Sequence, residues 1–571
     1  MIQRSLKARL FGALERLPWV GFWIRWVYRR WYRAPRKGYP RWPSILHLDW
    51  TAWRSALRDA DGPRVLVATS VGAFLPGNTL ESVLSVALTL RNAGVEVLLC
   101  DESLPACLDC HTLWFPKTRD FLKKGPQGRL CGSCYPPSKR MYQDLGLHVE
   151  GMGAWILPSD RKDVSDLLSR SVADLRVHRD QGMAVGEHAL AGALRFFARA
   201  TLEGERDGEA VFRRYFEAAF LAARAARRLL ENKKYDRVVL NHGIYVPQGV
   251  IGEAARSLQI PVVNWNPAYR KKCFIFSHGD SYHHTLMTEP TSTWENLVLR
   301  PDQERALDDY LTSRWYGTQD WIWFHENPRF GEEDIRRAVG ADPAKPWIGL
   351  LTNVLWDAQL HYPANAFPTL LDWLFLTIDY FATRPDLQLI VRVHPAEIRG
   401  TLPSRQRIVD EVRRREKPLP SNVFLVGPES PVSTYALMER CDTVLIFGTK
   451  TGVELTSRGK PVIVAGEAWI RGKGLTRDAR SPRHYRELLD QLPVGKPLPA
   501  SQTRLARLYA YHFFFRRMIP FSFMEPRAGD PPYGLPPGFR LADLRPGADR
   551  GLDVVCDGIL EGKPFVFPAE A

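Results

Sequence analysis

Asp442–Trp469 reads DTVLIFGTKTGVELTSRGKPVIVAGEAW, and its order of residue types decides the fold. Thr443–Phe447 is a short apolar run rich in β-formers, which predicts a strand. Gly448 and Thr449 turn the chain, and Thr449 or Thr451 is placed to cap the helix that follows. That helix closes near Gly459, and Pro461–Ala465 predicts the next buried strand. A strand feeding a small-residue loop at a helix N-terminus presents backbone N–H groups and a positive dipole end to anions. Lys450 adds a cation, and Thr449 and Thr451 add hydroxyl donors. The stretch therefore reads either as a phosphate cradle or as an ordinary capped α/β turn.

The same alternation extends upstream. Ile348–Thr352, LQLIVR before His394, and NVFLV predict strands, with helices between them at about 366–382, 405–416 and 432–440. Alternating strands and helices imply a parallel sheet. An earlier series starts at Arg64, with strands at Val65–Ala68, Val95–Cys100, Arg237–Leu240 and Pro261–Asn264. Between its halves lie amphipathic helices at about 161–175, 187–200 and 209–231. The fold class is thus α/β, with two Rossmann-like domains facing a crevice. The segments are a basic aromatic amphipathic N-terminus (1–45), a first α/β domain (60–300), a connector (301–345), a second α/β domain (346–500), and a C-terminal helix with a Pro/Gly-rich tail (501–571).

A chain of 571 residues is too long for one core, and the size prior is about two to four domains. The net charge of +15 points to an anionic partner: a membrane surface, a phosphorylated ligand or nucleic acid. Residues 1–45 mix Trp, Arg and Lys at helical spacing, which suits a peripheral anchor on an anionic membrane surface; the other reading is a helix packed on the protein itself. No stretch approaches the roughly 18 uninterrupted apolar residues of a membrane span. The expected location is cytoplasmic and peripheral to the inner membrane.

Cys107, Cys110, Cys131 and Cys134 form two C-x-x-C pairs separated by 20 residues. That spacing predicts a structural zinc site in an insert at 105–136, with four thiolates and no open position; the other reading is an iron–sulfur cluster or redox thiols. No organic cofactor is expected. The insert's basic residues leave a nucleic-acid role open, but no stacking aromatics accompany them, so nucleic acid is not an expected partner.

In a doubly wound sheet, ligands bind beyond the strands' C-terminal ends. In the second domain those positions carry Asn353, Asp357, Arg392, His394, Pro395, Glu397, Thr449, Lys450, Thr451, Gly452, Glu454 and Glu467. Cations and helix N–H groups there suit phosphate, and a carboxylate suits ribose. In the first domain the same logic singles out Asn241, His242, Asn264 and Asn266, and SHGDSYHHTL adds Asp280 with three histidines. Asp280, His242 and Asp357 are the candidates for a catalytic base.

RVHPAE, FGTKTGVELTSRGKPVIVAGEAW and FIFSHGDSYHHTL together resemble the capsule polysaccharide biosynthesis glycosyltransferases, the group that includes Kdo transferases, over about Asp236–Leu489. The resemblance implies a glycosyltransferase-B fold and transfer of a sugar from a CMP- or UDP-linked donor to a surface or capsular polysaccharide or lipid-linked acceptor. It implies His394 and Pro395 at the nucleotide, Thr449 and Thr451 at the phosphate, and Glu454 at the ribose. The chain departs from the pattern in its Thr-Lys-Thr order and in its four-cysteine insert. No D-x-D pair stands near the donor loops, so metal-independent transfer is expected. The alternatives are a nucleotide-sugar epimerase of the same architecture and a zinc-containing nucleic-acid or assembly scaffold.

Overall fold

The computed structural model describes residues 38–569, except 322, 325, 326, 359, 361 and 528–531 and the side chain of Tyr282. Two parallel-type sheets organise it. The first contains β1 (Arg64–Ser70), β2 (Gly94–Leu99), β3 (His148–Gly151), β4 (Arg237–Asn241), β5 (Val262–Pro267) and β6 (Cys273–His278). Its order is β6-β5-β4-β1-β2-β3, with β6 antiparallel to β5. The second contains β7 (Trp347–Leu351), β8 (Gln388–Arg392), β9 (Val423–Val426), β10 (Thr443–Ile446), β11 (Val462–Val464) and β12 (Arg477–Asp478). Its order is β12-β11-β10-β7-β8-β9, and every pairing is parallel. Both sheets reverse direction of winding once, between β1 and β4 and between β7 and β10. Such a reversal leaves a crevice at the strands' C-terminal ends.

Continuous apolar strands need cover on both faces. In the first sheet Val65, Val67, Val239 and Trp265 face one layer, and Leu66, Ala68, Val238 and Leu240 face the other. The helix Leu75–Thr89 is buried along its whole length, as expected of an element covered on all sides. The Ala-rich helix Gly208–Lys233 packs on the opposite face, its small side chains allowing close approach to its neighbours. The connector is more ordered than its charge suggests. It carries helices Pro301–Ser313 and Glu332–Val339, and Trp315 stacks between Phe330 and Tyr435.

The tail returns to the first domain. After helix Ala500–Tyr511, strand β13 (Ile519–Pro520) pairs with β6. Helix Arg550–Glu561 then joins the apolar layer over Leu75–Thr89, and Tyr533 donates to the Pro76 carbonyl at 2.9 Å. At the other terminus, residues 1–37 of the expected amphipathic segment lie outside the described residues. Its last part is core: Trp42 is fully buried and Tyr39 donates to the Gly72 carbonyl.

The expectation of a four-cysteine metal site is overturned. Among the described residues the four cysteines do not form a four-ligand cluster, and the group of ligand-type side chains close enough to share an ion is Glu96, His148 and Glu150. The Sγ atoms of Cys107 and Cys110 lie 3.8 Å apart, while Cys134 Sγ accepts the Ala73 N–H at 3.2 Å. Burial, with Cys107 adding by charge, pushes the thiols of Cys110, Cys131 and Cys134 up. The C-x-x-C spacing sets two local turns; whether the turns face one point is a tertiary matter. The Glu96–His148–Glu150 group already holds a cation, because Lys233 Nζ sits 2.9 Å from Glu96 and also contacts Glu150.

Replacing Trp42 by Ala removes a fully buried indole and is expected to cost about 3–5 kcal/mol in urea unfolding. A loss below about 1 kcal/mol would mean that residues 38–45 are not part of the core.

Candidate functional site

The second sheet delivers four loops to one edge, those after β7, β8, β10 and β11. Ahead of His394, strand β8 is fully buried, and the His394 N–H donates to Thr352 Oγ1 at 3.1 Å, tying the loops after β7 and β8 together. His394 Nδ1 accepts the Ala396 N–H, which makes it an acceptor and orients the ring; Pro395 stands at the start of the short helix Ala396–Arg399. A Cβ on Gly448 would lie 3.1 Å from the Glu467 carbonyl and 3.3 Å from Asn353 Nδ2, so the loops after β7, β10 and β11 touch at this glycine. Gly452 packs against Ile446 and Ile470 and has a close-packing role. Thr449 and Thr451 remain half-buried, with their hydroxyls 3.1 Å apart.

Several predicted phosphate or sugar ligands are engaged within the protein. Arg392 is buried; its guanidinium donates to Thr434 Oγ1 and to the carbonyls of Gly427, Ser430 and Val432, and burial lowers it to about 10. It braces the loop after β9. Glu397 points away from the edge, where one carboxylate oxygen accepts the Ile408 N–H at 2.9 Å, and burial raises its carboxyl to about 7. Lys450 is 3.2 Å from Glu454 one helical turn on, and Arg314 Nε reaches Glu454 at 3.3 Å and also pairs with Asp320. Burial and Arg314 lower Lys450 to about 8. For Glu454 burial acts upward, but Arg314, Lys450 and a Tyr435 hydrogen bond outweigh it and hold it near about 2. Two cations and two carboxylates thus form a nearly neutral buried network behind the Thr449–Thr451 loop.

The first domain meets this edge from the other side. Tyr245, after β4, donates to Asp357 Oδ1 at 2.9 Å, and its oxygen accepts the Ala358 N–H at 2.8 Å. Arg195 lies over the rings of both Tyr245 and Trp356. His242 stacks obliquely near Tyr245 and His283, and burial lowers it to about 4, so it is a neutral ring at neutral pH. Asp280 holds His284 by a 2.8 Å bond from Nδ1, and the Nε2 of His284 lies 3.7 Å from Glu467 Oε2 of the second domain. Asn241 instead bonds within the first sheet, to the Trp265 carbonyl and Asn266. Asp280, His242 and Asp357 therefore lie along one seam with Glu467, whereas Arg392 and Glu397 sit behind it. Tyr245 and Tyr362 were not singled out from sequence and carried no local signal, whereas His284 is one of the three histidines read beside Asp280 in SHGDSYHHTL.

Further contacts close the seam. Lys473 donates to the carbonyls of Met287 and Glu289, and Arg405 pairs with Glu205 at 2.9 Å. Among the described residues no helix is long and apolar enough to cross a membrane.

A family model described as capsule polysaccharide biosynthesis protein matches residues 354–492, the span from the loop after β7 past β12. No curated protein matches the chain. Among solved structures, the chain is similar to the KpsC β-Kdo 2,4-transferase of Thermosulfurimonas dismutans at 14% identity and a TM-score of 0.32, covering 48% of this chain and 80% of that one. It is also similar to a UDP-GlcNAc 2-epimerase of Neisseria meningitidis bound to UDP-GlcNAc, at 11% identity and a TM-score of 0.24, over 78% of this chain and 98% of that one. Likenesses this loose carry no argument, and the fold rests on the chain's own strand order.

The two buried carboxyls have opposite pH signatures. Glu454→Gln breaks a buried ion pair and is expected to cost on the order of 3–5 kcal/mol at neutral pH. Because its folded value is depressed, that stabilisation is present above the unfolded carboxylate range and is lost as pH falls toward about 2. Glu397→Gln is expected to stabilise by about 3 kcal/mol at pH 8, since the raised value of about 7 makes the charged form costly; the gain fades as pH falls toward the unfolded value. Urea melts across pH check both signs.

Proposed function

We propose that the chain is a glycosyltransferase that moves a sugar from a CMP- or UDP-linked donor on the second domain to a polysaccharide or lipid-linked acceptor on the first. The observation that carries this reading is the meeting of strand-end loops from both domains at one seam, with Tyr245 on Asp357 at 2.9 Å and His284 facing Glu467 at 3.7 Å. Transfer between two ligands needs both held in reach of each other, and a seam between two ligand-binding edges does that. The match of residues 354–492 to the capsule-biosynthesis model supports the same side for the donor.

The donor would lie along His394, Asn353 and Thr449–Thr451. His394 has its Nδ1 committed to the Ala396 N–H, which fixes the ring at that turn. Thr449, Thr451 and the N–H groups of their loop supply donors for phosphate, while Lys450 behind them is paired with Glu454. The reaction is displacement of the nucleotide by an acceptor hydroxyl. It needs a base for that hydroxyl and stabilisation of the leaving phosphate. The loops contain no D-x-D pair, so the transfer is read as metal-independent. The basic aromatic residues 1–37 are read as the contact to an anionic membrane surface that carries the acceptor.

Calorimetry with CMP, UDP and their sugars tests the donor side. His394→Ala and Thr451→Ala are expected to weaken nucleotide binding by at least about tenfold with unchanged melting temperature; normal binding by both variants would place the donor elsewhere. A chain lacking residues 1–37 is expected to stay in the supernatant when mixed with anionic vesicles that sediment the full chain. Equal sedimentation would remove the membrane from the reading.

A further inference from the structure

Asp280, His284 and Glu467 form a line across the seam. The carboxylate of Asp280 only accepts, so the 2.8 Å bond to His284 Nδ1 places a proton on Nδ1. The neutral ring then presents a lone pair at Nε2. Neither His284 Nε2 nor Glu467 Oε2 has a hydrogen-bond partner among the described residues, although both atoms are closed to solvent. They lie 3.7 Å apart. Glu467 is held firmly in that position: its other oxygen accepts the Ala364 N–H at 2.8 Å, and its own N–H donates to Asn365 at 2.7 Å. Two acceptors side by side do not satisfy each other while the ring is neutral. They are complementary to two adjacent donors.

Building on the transfer reading above, we propose that this pair is the acceptor subsite, that it takes the vicinal diol of a sugar, and that His284 is the base. One hydroxyl donates to Nε2 of His284 and its neighbour donates to Oε2 of Glu467. As the first hydroxyl oxygen bonds to the donor's anomeric carbon, its proton passes to Nε2. The bond from that carbon to the phosphate oxygen breaks, and the nucleotide leaves with the electron pair. The imidazolium so formed lies between Asp280 and Glu467, which stabilise it. The two atoms belong to different domains, so parting of the seam uncovers them together for the acceptor.

The surroundings agree with this assignment. The hydrogen bond that His284 donates to Asp280 raises His284 above the usual histidine value; burial opposes it, and Asp280, Glu467 and Glu187 add to it by charge. The neighbouring ring of His283 is lowered to about 3 by burial, with His242 and His284 contributing, so it does not compete for the proton. Tyr362 meets the His284 ring edge-on at 5.3 Å and limits its tilt. Asp280 is half exposed and hydrogen-bonded to His284, which makes it a positioning residue and leaves the proton transfer to the ring.

The test uses the full chain with CMP- and UDP-linked sugars, and alkyl glycosides that carry a vicinal diol or its monodeoxy counterpart. His284→Gln is expected to slow nucleotide release with the diol glycoside by about 100-fold, while donor binding by calorimetry stays within about twofold. Asp280→Asn is expected to move the acidic limb of the pH–rate profile to lower pH, because it removes the group that raises His284. Glu467→Gln is expected to raise KM for the diol glycoside and to leave KM for the monodeoxy glycoside unchanged. Turnover of His284→Gln within about threefold of the parent, an unmoved acidic limb in Asp280→Asn, or equal use of diol and monodeoxy glycosides would overturn the proposal while donor binding kept the transfer reading alive. A parent chain that binds no nucleotide would overturn the transfer reading, and the subsite with it.

Discussion

The contact between Arg314 and Glu454 holds the molecule's working parts in register. Both side chains are almost fully buried, at 7% and 3% exposure, so neither charge has water to turn to. Each is tolerable only because the other is present, together with Asp320 and Lys450. Arg314 follows the helix Pro301–Ser313 of the segment that joins the two domains, and Glu454 sits in the helix that begins at the Thr449–Thr451 loop. The pairing therefore pins the connector to the loop read as a phosphate site. It also draws Lys450 back from the edge onto Glu454.

Around that anchor, two sheets of the same winding order bring their edges together. The crevice at each reversal of winding is a consequence of parallel strand order, and the loops after β7, β10 and β11 converge at Gly448, where a side chain would crowd the Glu467 carbonyl and Asn353. The antiparallel β6 breaks the pattern in the first sheet. The chain turns at Gly279 beside the start of β5 and then runs as helix Tyr282–Thr288, which places His283 beside His242. Asp280 and His284 reach the seam by this detour and not by the end of a parallel strand. Burial then sorts the ionisable groups: His242 and His283 are kept neutral, His284 is raised by its carboxylate, and the environments of Glu397 and Glu454 drive two glutamates in opposite directions.

Strand and helix positions were largely legible, because periods of apolar residues and strand-ending glycines and prolines are local signals. The strand expected at Thr443–Phe447 is Thr443–Ile446, and the helix expected at 209–231 is Gly208–Lys233. Individual site residues were less legible. Arg392 and His394 stand two positions apart on one strand end, yet Arg392 turns inward to three carbonyls while His394 lies at the edge. Sequence position put both near the crevice and could not say which way each faced. The cysteines show the same limit. A C-x-x-C pair encodes its own turn, but the convergence of two pairs depends on the path of the 20 residues between them.

By itself the sequence determined the α/β class, the two series of strands, the Thr449–Thr451 turn and the strongly basic balance, since each follows from residue type and spacing along the chain. The tertiary structure alone decided which of the strand-end residues meet. The tail's return to the first domain, the burial of Trp42, the capture of Lys233 by Glu96 and Glu150, and the approach of His284 to Glu467 all join residues far apart in the chain. The last of these joins the two domains and the others form within the first domain or bring a terminus onto it; the free energy of burying a charge or a ring depends on everything that surrounds it.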